Sequence, residues 1–226
     1  MIVAALAALV LAAPAVRVGL ERIEAERGGV LAGKSVGLVA HAASVTAEGR
    51  HAVDVLKASN VRVVRLFAPE HGLAGRAGAG DHVADGRDPA TGIDVVSIYG
   101  AKQAPSAADL RGLDALVVDL QDAGVRFYTY ASTMLLCLEA AADAGVPIVI
   151  LDRPNPLGGD LVAGPRRGPV DEVPLSLVSR APGPLVHGLT LGEMARVANA
   201  ARVKPAQLTV VAMEGWLRSM RWRDTG

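Results

Sequence analysis

Cysteine and aromatic residues are both scarce in this chain of 226 residues. Its one cysteine, Cys137, cannot form an internal disulfide, and the apolar helical pattern around it predicts a core position. Lysine plus arginine and aspartate plus glutamate number 23 each, and no basic patch stands out, which argues against a nucleic-acid partner. Aromatics make up only 3% of the chain, and its abundant alanine, glycine and valine favour helices packed closely on a valine-rich sheet.

The N-terminus is almost purely apolar over residues 1–15 and ends in Ala13-Pro14-Ala15. No Lys or Arg precedes this run, but its small terminal residues are typical of a secretory h-region followed by a cleavage site. The run is too short for a transmembrane span, and the alternative is a buried N-terminal helix. We therefore predict a signal-peptide-like segment and an exported protein, periplasmic or extracellular, with no stable membrane span after processing.

Apolar runs rich in β-branched residues alternate with helical patterns along the rest of the chain. The predicted strands are 35–40, 61–67, 94–98, 115–120, 147–151 and 208–212. The predicted helices are 52–59, 107–110, 130–144 and 191–201. Ser106 and Thr190 are the expected N-caps, and Gly145 is an expected C-cap. This alternation predicts an α/β fold with a doubly wound, mainly parallel Rossmann-like sheet and helices on both faces.

Two stretches, 72–92 and 154–184, interrupt this alternation. The first is rich in Gly and Asp and is long for a plain connection, so we interpret it as a functional or mobile loop. The second is rich in proline, and we interpret it as an extended excursion rather than a helix.

Polar residues cluster directly after four of the predicted strands. These residues are His41, then Glu70 and His71, then the run from Asp119 to Tyr130, and finally Asp152, Arg153 and Asn155. In open α/β sheets, ligands bind in the crevice at the carboxyl ends of the strands. We therefore expect the four segments to converge on one mouth and to form an active site there.

The run from Asp119 to Tyr130 is the most unusual of these clusters. Of the chain's two Phe, three Tyr and two Trp residues it contains three, together with two carboxylates and one arginine. Arg126 and Arg153 can each offer a bidentate fork to an anionic group, or each can pair with a neighbouring aspartate and be structural. For single residues, the alternative is a strand end whose acids cap the next helix and whose aromatics fill the core.

Glu70 directly follows an apolar strand, where partial desolvation of its carboxyl group is expected. Desolvation raises the pKa of a carboxyl group and favours the protonated form that a general acid needs near neutral pH. The alternative is a glutamate that accepts hydrogen bonds from its own loop. Asp119, Asp122 and Asp152 are the candidates for a second carboxylate, and for Asp119 capping of the turn is the alternative.

Motifs for metal, nucleotide and nucleophilic chemistry do not occur. His41, His71 and His82 lie near acids, but HExxH and paired-cysteine spacings are absent, so we expect no metal. Residues 75–80 lack the Lys-Ser/Thr ending of a phosphate loop, and the turn at 40–48 has no glycine cluster, so we expect no nicotinamide cofactor. No serine or cysteine lies in a G-x-S-x-G elbow.

Several of these segments resemble the signatures of the exo-β-N-acetylmuramidases, glycoside hydrolase family 171. The segments are Phe67-Ala-Pro-Glu-His-Gly72, Asp119 to Tyr130, Asp152-Arg-Pro-Asn-Pro-Leu-Gly-Gly159, Val186-His-Gly-Leu-Thr190 and Gly215-Trp216, in that order. The resemblance runs from about residue 17 to 226. It implies a Rossmann-like domain followed by a second domain, with the active site in the cleft between them.

The resemblance implies a glycoside hydrolase that removes N-acetylmuramic acid from the non-reducing ends of peptidoglycan fragments by carboxylate acid/base catalysis, without a cofactor. By analogy, Glu70 takes the general-acid role, and Asp122 and Asp119 are further catalytic candidates. The lactyl carboxylate of the sugar suits Arg126 or Arg153. The residues expected to bind substrate are His41, His71, Arg126, Tyr128, Tyr130, Asp152, Arg153 and Asn155.

The resemblance breaks off at 224–226, where family members continue into the second domain. The chain is therefore expected to contain a signal-peptide-like segment at 1–15, a Rossmann-like catalytic domain at 16–213 and the start of a truncated second domain at 214–226. His41 stands where the family commonly has Asn, so substrate contacts there are expected to differ. Two alternatives remain open: a non-catalytic or degenerate module that binds peptidoglycan sugars, and a generic nucleotide-binding Rossmann domain.

Overall fold

The computed structural model describes residues 16–169 and 174–226 of the chain. The signal-peptide-like segment at 1–15 lies outside the described residues and stays a prediction. Among the residues that are described, none of the helices combines the length and the apolar character that crossing a membrane requires.

A seven-stranded sheet forms the centre of the described chain. The nine strands of the described residues are β1 (Ser35–Ala40), β2 (Arg62–Ala68), β3 (Gly86–Arg87), β4 (Asp94–Ser97), β5 (Ala115–Asp119), β6 (Ile148–Leu151), β7 (Ala163–Arg166), β8 (Pro184–Val186) and β9 (Leu208–Val211), and all except β7 and β8 belong to this sheet. Their order in the sheet is β3-β4-β2-β1-β5-β6-β9, and neighbours are parallel except β3 and β4. The doubly wound, mainly parallel α/β fold is confirmed, and the six predicted strands lie within one residue of their expected bounds.

Helices cover both faces of this sheet. They are α1 (Gly19–Ala25), α2 (Ala52–Ala58), α3 (Ala107–Leu110), α4 (Thr129–Ala144) and α5 (Leu191–Ala200), with short 3-10 helices at Gly29–Leu31 and Trp222–Asp224. The expected caps form: the hydroxyls of Ser106 and Thr190 accept backbone N–H groups at the starts of α3 and α5, and Gly145 ends α4 with a φ of 69°. Helix α1 is absent from the sequence-based assignment because its seven residues bury only a small apolar face.

The continuous apolar strands contribute side chains to two hydrophobic cores, one on each face of the sheet. Along β5, Leu116 and Val118 point into the core with α4 and α5, whereas Val117 points into the core with α1 and α2. Successive residues of a strand point to opposite faces, so a strand covered on both sides reads as an unbroken apolar run. Cys137 of α4 is fully buried in the first core, as predicted.

The two stretches that interrupt the predicted alternation are irregular. Residues 72–92 consist of turns and the two-residue strand β3, and Asp85 Oδ1 accepts the backbone N–H of Ser97 at 2.7 Å, which fastens this segment to β4. The described part of 154–184 contains β7 and no helix, in agreement with the expected extended excursion. Strand β7 pairs with β8 as a small antiparallel ribbon outside the main sheet.

Residues 214–226 pack against the rest of the described chain. The backbones of Arg17 and Glu214 exchange two hydrogen bonds of 3.0 and 2.9 Å. The N–H of Trp222 donates to the carbonyl of Pro156 at 3.0 Å, and the N–H of Gly159 donates to a carbonyl of the same segment at 2.7 Å. The segment is thus fastened at several points, and the domain boundary expected at 213 stays a prediction.

Candidate active site

Glu70 lies just beyond the carboxyl end of β2, and hydrogen-bond donors surround its carboxylate. The Tyr99 hydroxyl donates to Oε1 at 2.8 Å, and the backbone N–H of Gly80 donates to the same oxygen at 3.1 Å. The Thr129 hydroxyl donates to Oε2 at 2.7 Å. The three donors come from the segment after β4, the loop after β2 and the first residue of α4, so three elements meet at this carboxylate.

The pKa of Glu70 is lowered, and the sequence-based expectation of a raised pKa is wrong. Burial is the largest influence and raises the pKa, but the hydrogen bonds from Thr129, Tyr99 and Gly80, with the nearby His71, together lower it by more. Hydrogen bonds to the ionised form outweigh desolvation here. Glu70 matches the alternative interpretation, in which the carboxylate accepts hydrogen bonds from its own loop. Two further donors come from other elements, Tyr99 after β4 and Thr129 in α4.

His71 follows Glu70 with a φ of 69°, in the left-handed region that residues other than glycine rarely adopt. Such strained backbone is concentrated at functional sites. The Nδ1 atom of His71 lies 2.9 Å from the carbonyl oxygen of Ala77. A carbonyl oxygen only accepts, so in the neutral ring Nδ1 carries the proton and Nε2 remains an acceptor.

An open cleft of about 500 Å³ lies beside Glu70 and His71. Its other lining residues are Ala79, Tyr99, Gln103, Phe127, Tyr128, Thr129, Ser176, Leu177 and Val178. Three of these are aromatic, and Phe127 is 55% exposed although its side chain is large and apolar. A concave site with apolar walls and a few polar groups is the usual form of a small-molecule site.

Tyr130 lies behind the cleft and contacts both Glu70 and the buried His41 at the carboxyl end of β1. Its buried hydroxyl donates to the backbone carbonyl of Glu70 at 3.2 Å. Its ring makes edge-to-face contacts with Tyr128 and His41, with centroid separations of 4.9 and 4.7 Å. Tyr130 therefore supports the cleft wall from behind, whereas Tyr128 lines the cleft itself.

His41 is buried and neutral. Burial is the main cause that lowers its pKa, to about 4, and the adjacent positive charge of Arg153 adds to this against the opposing charge of Asp119. Its Nε2 accepts the backbone N–H of Gln121 at 3.0 Å, which ties the end of β1 to the end of β5. His41 does not line the cleft beside Glu70.

Asp119 and Arg153 form a buried bidentate ion pair. The guanidinium Nε lies 2.5 Å from Oδ1 of Asp119 and Nη2 lies 2.9 Å from Oδ2. Nη2 also donates to the carbonyl of Val45 at 3.0 Å. Both carboxylate oxygens are engaged, so the geometry matches the structural alternative for Arg153, and Asp119 pairs with this arginine instead of capping the turn.

Asp122 is also buried, but only one of its oxygens is engaged. Oδ2 accepts the N–H of Gly124 at 2.8 Å and lies 3.2 Å from Nε2 of His187. Because Nδ1 of His187 accepts the N–H of Leu189 at 3.2 Å, Nε2 carries the ring proton and donates to Asp122. Within the described residues, Oδ1 of Asp122 has no hydrogen-bond partner.

Asp152 joins the end of β6 to the start of α5. Its carboxylate accepts the Thr190 hydroxyl and the Gly192 N–H, each at 2.8 Å. Burial raises the pKa of Asp152 to about 6 against these hydrogen bonds. The carboxylate thus supplies acceptors to the first turn of α5, as a helix-capping group does, and it does not line the cleft beside Glu70.

Asn155 and Arg126 also contact the backbone of other segments. Asn155 is 2% exposed and its amide donates to the carbonyl of Leu189 at 3.0 Å. Arg126 is half-buried, and its Nη1 donates to the carbonyl of Gly183 at 2.7 Å. Arg126 therefore holds the end of the β7–β8 ribbon against the loop after β5.

Hydrogen bonds and ring contacts connect the four predicted clusters at the carboxyl ends of the strands. Only some of the predicted residues line the cleft. Glu70, His71 and Tyr128 line the cleft, and the remaining predicted residues lie behind or beside it. Sequence reasoning did not include Tyr99, and it included Thr129 only as a member of the run from Asp119 to Tyr130; both side chains contact the Glu70 carboxylate. The position of Tyr99 could have indicated a site residue, because Tyr99 follows the carboxyl end of β4. That strand end is not among the four that the sequence analysis assigns to the site. Among the described residues, no cluster of His, Cys, Asp and Glu side chains could hold a metal ion.

The fold and the cleft define a class of protein: a Rossmann-like α/β domain with a hydrogen-bonded carboxylate and aromatic side chains at the strand ends. A family model described as exo-β-N-acetylmuramidase NamZ, N-terminal, matches residues 36–226. The chain belongs to this family, and the resemblance noted in its sequence is confirmed.

Individual relatives agree with this assignment. The chain is 40% identical over 213 residues to the peptidoglycan β-N-acetylmuramidase NamZ of Bacillus subtilis (strain 168), a match that covers 94% of this chain and 51% of that protein. A crystal structure of a DUF1343 family protein from Bacteroides fragilis NCTC 9343 is similar with a TM-score of 0.85 and 37% identity, covering 93% of this chain and 53% of that one. A second DUF1343 structure from the same organism has a TM-score of 0.76 and 32% identity, with coverages of 92% and 54%. The chain thus spans about half the length of the relatives it matches.

Proposed function

We propose that this chain forms the carboxylate-bearing part of a glycoside hydrolase that releases N-acetylmuramic acid from the non-reducing ends of peptidoglycan fragments. The observation that carries the proposal is the Glu70 carboxylate, held beside a cleft lined by Tyr99, Phe127 and Tyr128. Most glycoside hydrolases use a pair of carboxyl groups and no cofactor. Membership in the exo-β-N-acetylmuramidase family supports the same activity.

Glu70 is the proposed essential carboxylate, and Asp122 is the preferred candidate for a second one. Both oxygens of Asp119 and both oxygens of Asp152 accept hydrogen bonds from their own surroundings. Asp122 keeps one oxygen without a partner in the described residues. Of the three candidate aspartates, Asp122 is therefore the one with an acceptor left for a further proton or hydrogen bond, although this oxygen is buried.

The substrate contacts follow from the same comparison of engaged and unengaged groups. Arg153 is paired with the Asp119 carboxylate, whereas Arg126 donates only to backbone carbonyls, through Nη1, among the described residues, so Arg126 is the better candidate for the lactyl carboxylate of muramic acid. Tyr128 lines the cleft and is the proposed stacking surface for a sugar ring, with Tyr130 packed behind it.

The test is release of N-acetylmuramic acid from a synthetic muramide by the full chain. Glu70→Gln keeps the shape of the side chain but removes its charge, and we expect the rate to fall by at least about 100-fold. Glu48→Gln is the matched control, because the side chain of Glu48 is 69% exposed and does not line the cleft. Full activity of Glu70→Gln would remove this residue from the mechanism.

A second candidate function is a non-catalytic sugar-binding module. It is favoured by one observation: both oxygens of Glu70 are already engaged by donors of this chain. Calorimetry with the same muramide distinguishes the two functions. Binding without any turnover by the wild-type chain would favour the module over the hydrolase.

Export belongs to the same proposal, because peptidoglycan lies outside the cytoplasmic membrane. The apolar run at 1–15 is the sequence feature that supports it. Mass spectrometry of protein recovered from the producing cell should find residues 1–15 removed. Recovery of the unprocessed chain from the cytoplasm alone would contradict export.

A further inference from the structure

Each oxygen of the Glu70 carboxylate faces a hydrogen-bond donor from a different part of the fold. Oε1 accepts from the Tyr99 hydroxyl and the Gly80 N–H, and Oε2 accepts from the Thr129 hydroxyl. A hydroxyl group can also accept a hydrogen bond, but a backbone N–H can only donate. Protonation of the carboxylate would force at least one of these hydrogen bonds to reverse or break, so the arrangement favours the ionised form.

The three donors are held in place by their own local structure. Tyr99 lies in a tight turn in which the Ser97 hydroxyl accepts the Tyr99 N–H at 3.3 Å and donates to the Tyr99 carbonyl at 3.1 Å. Thr129 is the first residue of the 16-residue helix α4, whose N-terminal end favours a negative charge. Gly80 has a φ of 79°, a conformation that glycine adopts without strain.

We propose that Tyr99 and Thr129 are positioning residues that hold the carboxylate of Glu70 in its ionised form and in one orientation at the edge of the cleft. This inference rests on the proposed hydrolase function for its catalytic meaning. It assigns the charged form of Glu70 to the reaction and leaves the general-acid role to another group. Nothing in the sequence motif around Glu70 identifies either of the two residues.

Tyr99→Phe and Thr129→Val each remove one donor while keeping the size of the side chain, and Thr129→Ser restores the hydroxyl. We expect the titration midpoint of Glu70 to rise by about one pH unit in the first two variants and to stay near the wild-type value in the third. The midpoint is measured by carbon NMR on chains labelled at glutamate, and the Glu70 signal is assigned by its absence in Glu70→Gln. This readout does not depend on activity.

The second measurement is the pH dependence of kcat/KM for the synthetic muramide. The acidic limb should move to higher pH by the same amount as the Glu70 midpoint in Tyr99→Phe and in Thr129→Val. Midpoints that stay at the wild-type value in both variants would overturn the inference, and so would an acidic limb that does not follow a shifted midpoint. If the midpoints shift as expected but neither the wild type nor any variant hydrolyses the muramide, the positioning role stands and the hydrolase function is refuted.

Discussion

Three carboxylates at the ends of buried strands, those of Glu70, Asp119 and Asp152, have different hydrogen-bond partners. Asp119 is paired with a guanidinium, Glu70 accepts hydrogen bonds from two hydroxyl groups and a backbone N–H, and Asp152 is buried with a pKa raised to about 6. Removing one partner of a buried pair such as Asp119–Arg153 leaves an uncompensated charge, so this pair holds the strand ends firmly in one arrangement. Carboxylates at strand ends therefore fasten segments together at Asp119 and Asp152, whereas Glu70 lines the cleft.

His41 gives the stability of the chain a specific dependence on pH. Its pKa is lowered to about 4 in the folded chain, from an ordinary value of 6.5. Between these values the unfolded chain binds a proton that the folded chain does not, so the free energy of unfolding falls as the pH falls from 6.5 to 4. In His41→Asn this loss is absent, and the stability advantage of the wild type over the variant should shrink by roughly 3 kcal/mol from pH 7 to pH 4.

Urea denaturation of both chains at several pH values measures this difference. Asp152 acts in the opposite direction in part of the same window, because its raised pKa means that the folded chain binds a proton there first. Its contribution is common to both chains and cancels when they are subtracted. A difference between wild type and His41→Asn that is constant from pH 7 to pH 4 would show that His41 does not titrate as described.

Among the structural elements, the junction of β6 with α5 depends on a glycine. A Cβ atom placed on Gly192 would lie 2.6 Å from Cγ1 of Val210 and 2.7 Å from Cγ of Asp152. Gly192→Ala should therefore push the helix away from the strand and lower the stability by about 1–3 kcal/mol. The matched control is Gly86→Ala in β3, where a Cβ atom would meet nothing within 4 Å. Equal denaturation midpoints for the two variants would refute the close packing at Gly192.

Elements with a strong periodic or capping signal could be predicted from the sequence, and weak ones could not. Helix α4 was expected from its apolar face and from Gly145, and it begins one residue earlier than predicted. Helix α1 gave no such signal, since it buries only Gly19, Leu20 and Ile23. The strand β3 has two residues, which is too short for any alternation to be visible.

The candidate site was predictable to the extent that it depends on strand ends. A parallel sheet places its carboxyl ends at one edge, so Glu70, His71 and Tyr128 could be brought together from topology alone. The ionisation of Glu70 could not be predicted in this way. Its donors Tyr99 and Thr129 lie 29 and 59 residues further along the chain, and only the folded structure shows that they reach its carboxylate.

At the scale of the whole molecule, the two hydrophobic cores lie on opposite faces of one sheet. Helix α4 packs in one of these cores and also contributes a residue to the candidate active site. Its middle is buried among the strands, whereas its first residue donates to Glu70. The position of that donor therefore depends on the packing of the whole helix. Any motion that separates α4 from the sheet also removes a hydrogen bond from the carboxylate.

Cys137 makes this dependence measurable. It lies in the middle of α4, is fully buried, and has a pKa raised to about 12 by burial, so the thiol is both shielded and protonated. The thiolate is the form that attacks thiol reagents, and labelling therefore requires the helix to open. We expect no modification of the folded chain at pH 7.5 and a rise in modification with urea that coincides with the loss of circular dichroism. Modification that is faster than global unfolding allows, in a chain that keeps its full dichroism, would show instead that α4 opens alone, and its rate would then report how often Thr129 moves away from the Glu70 carboxylate.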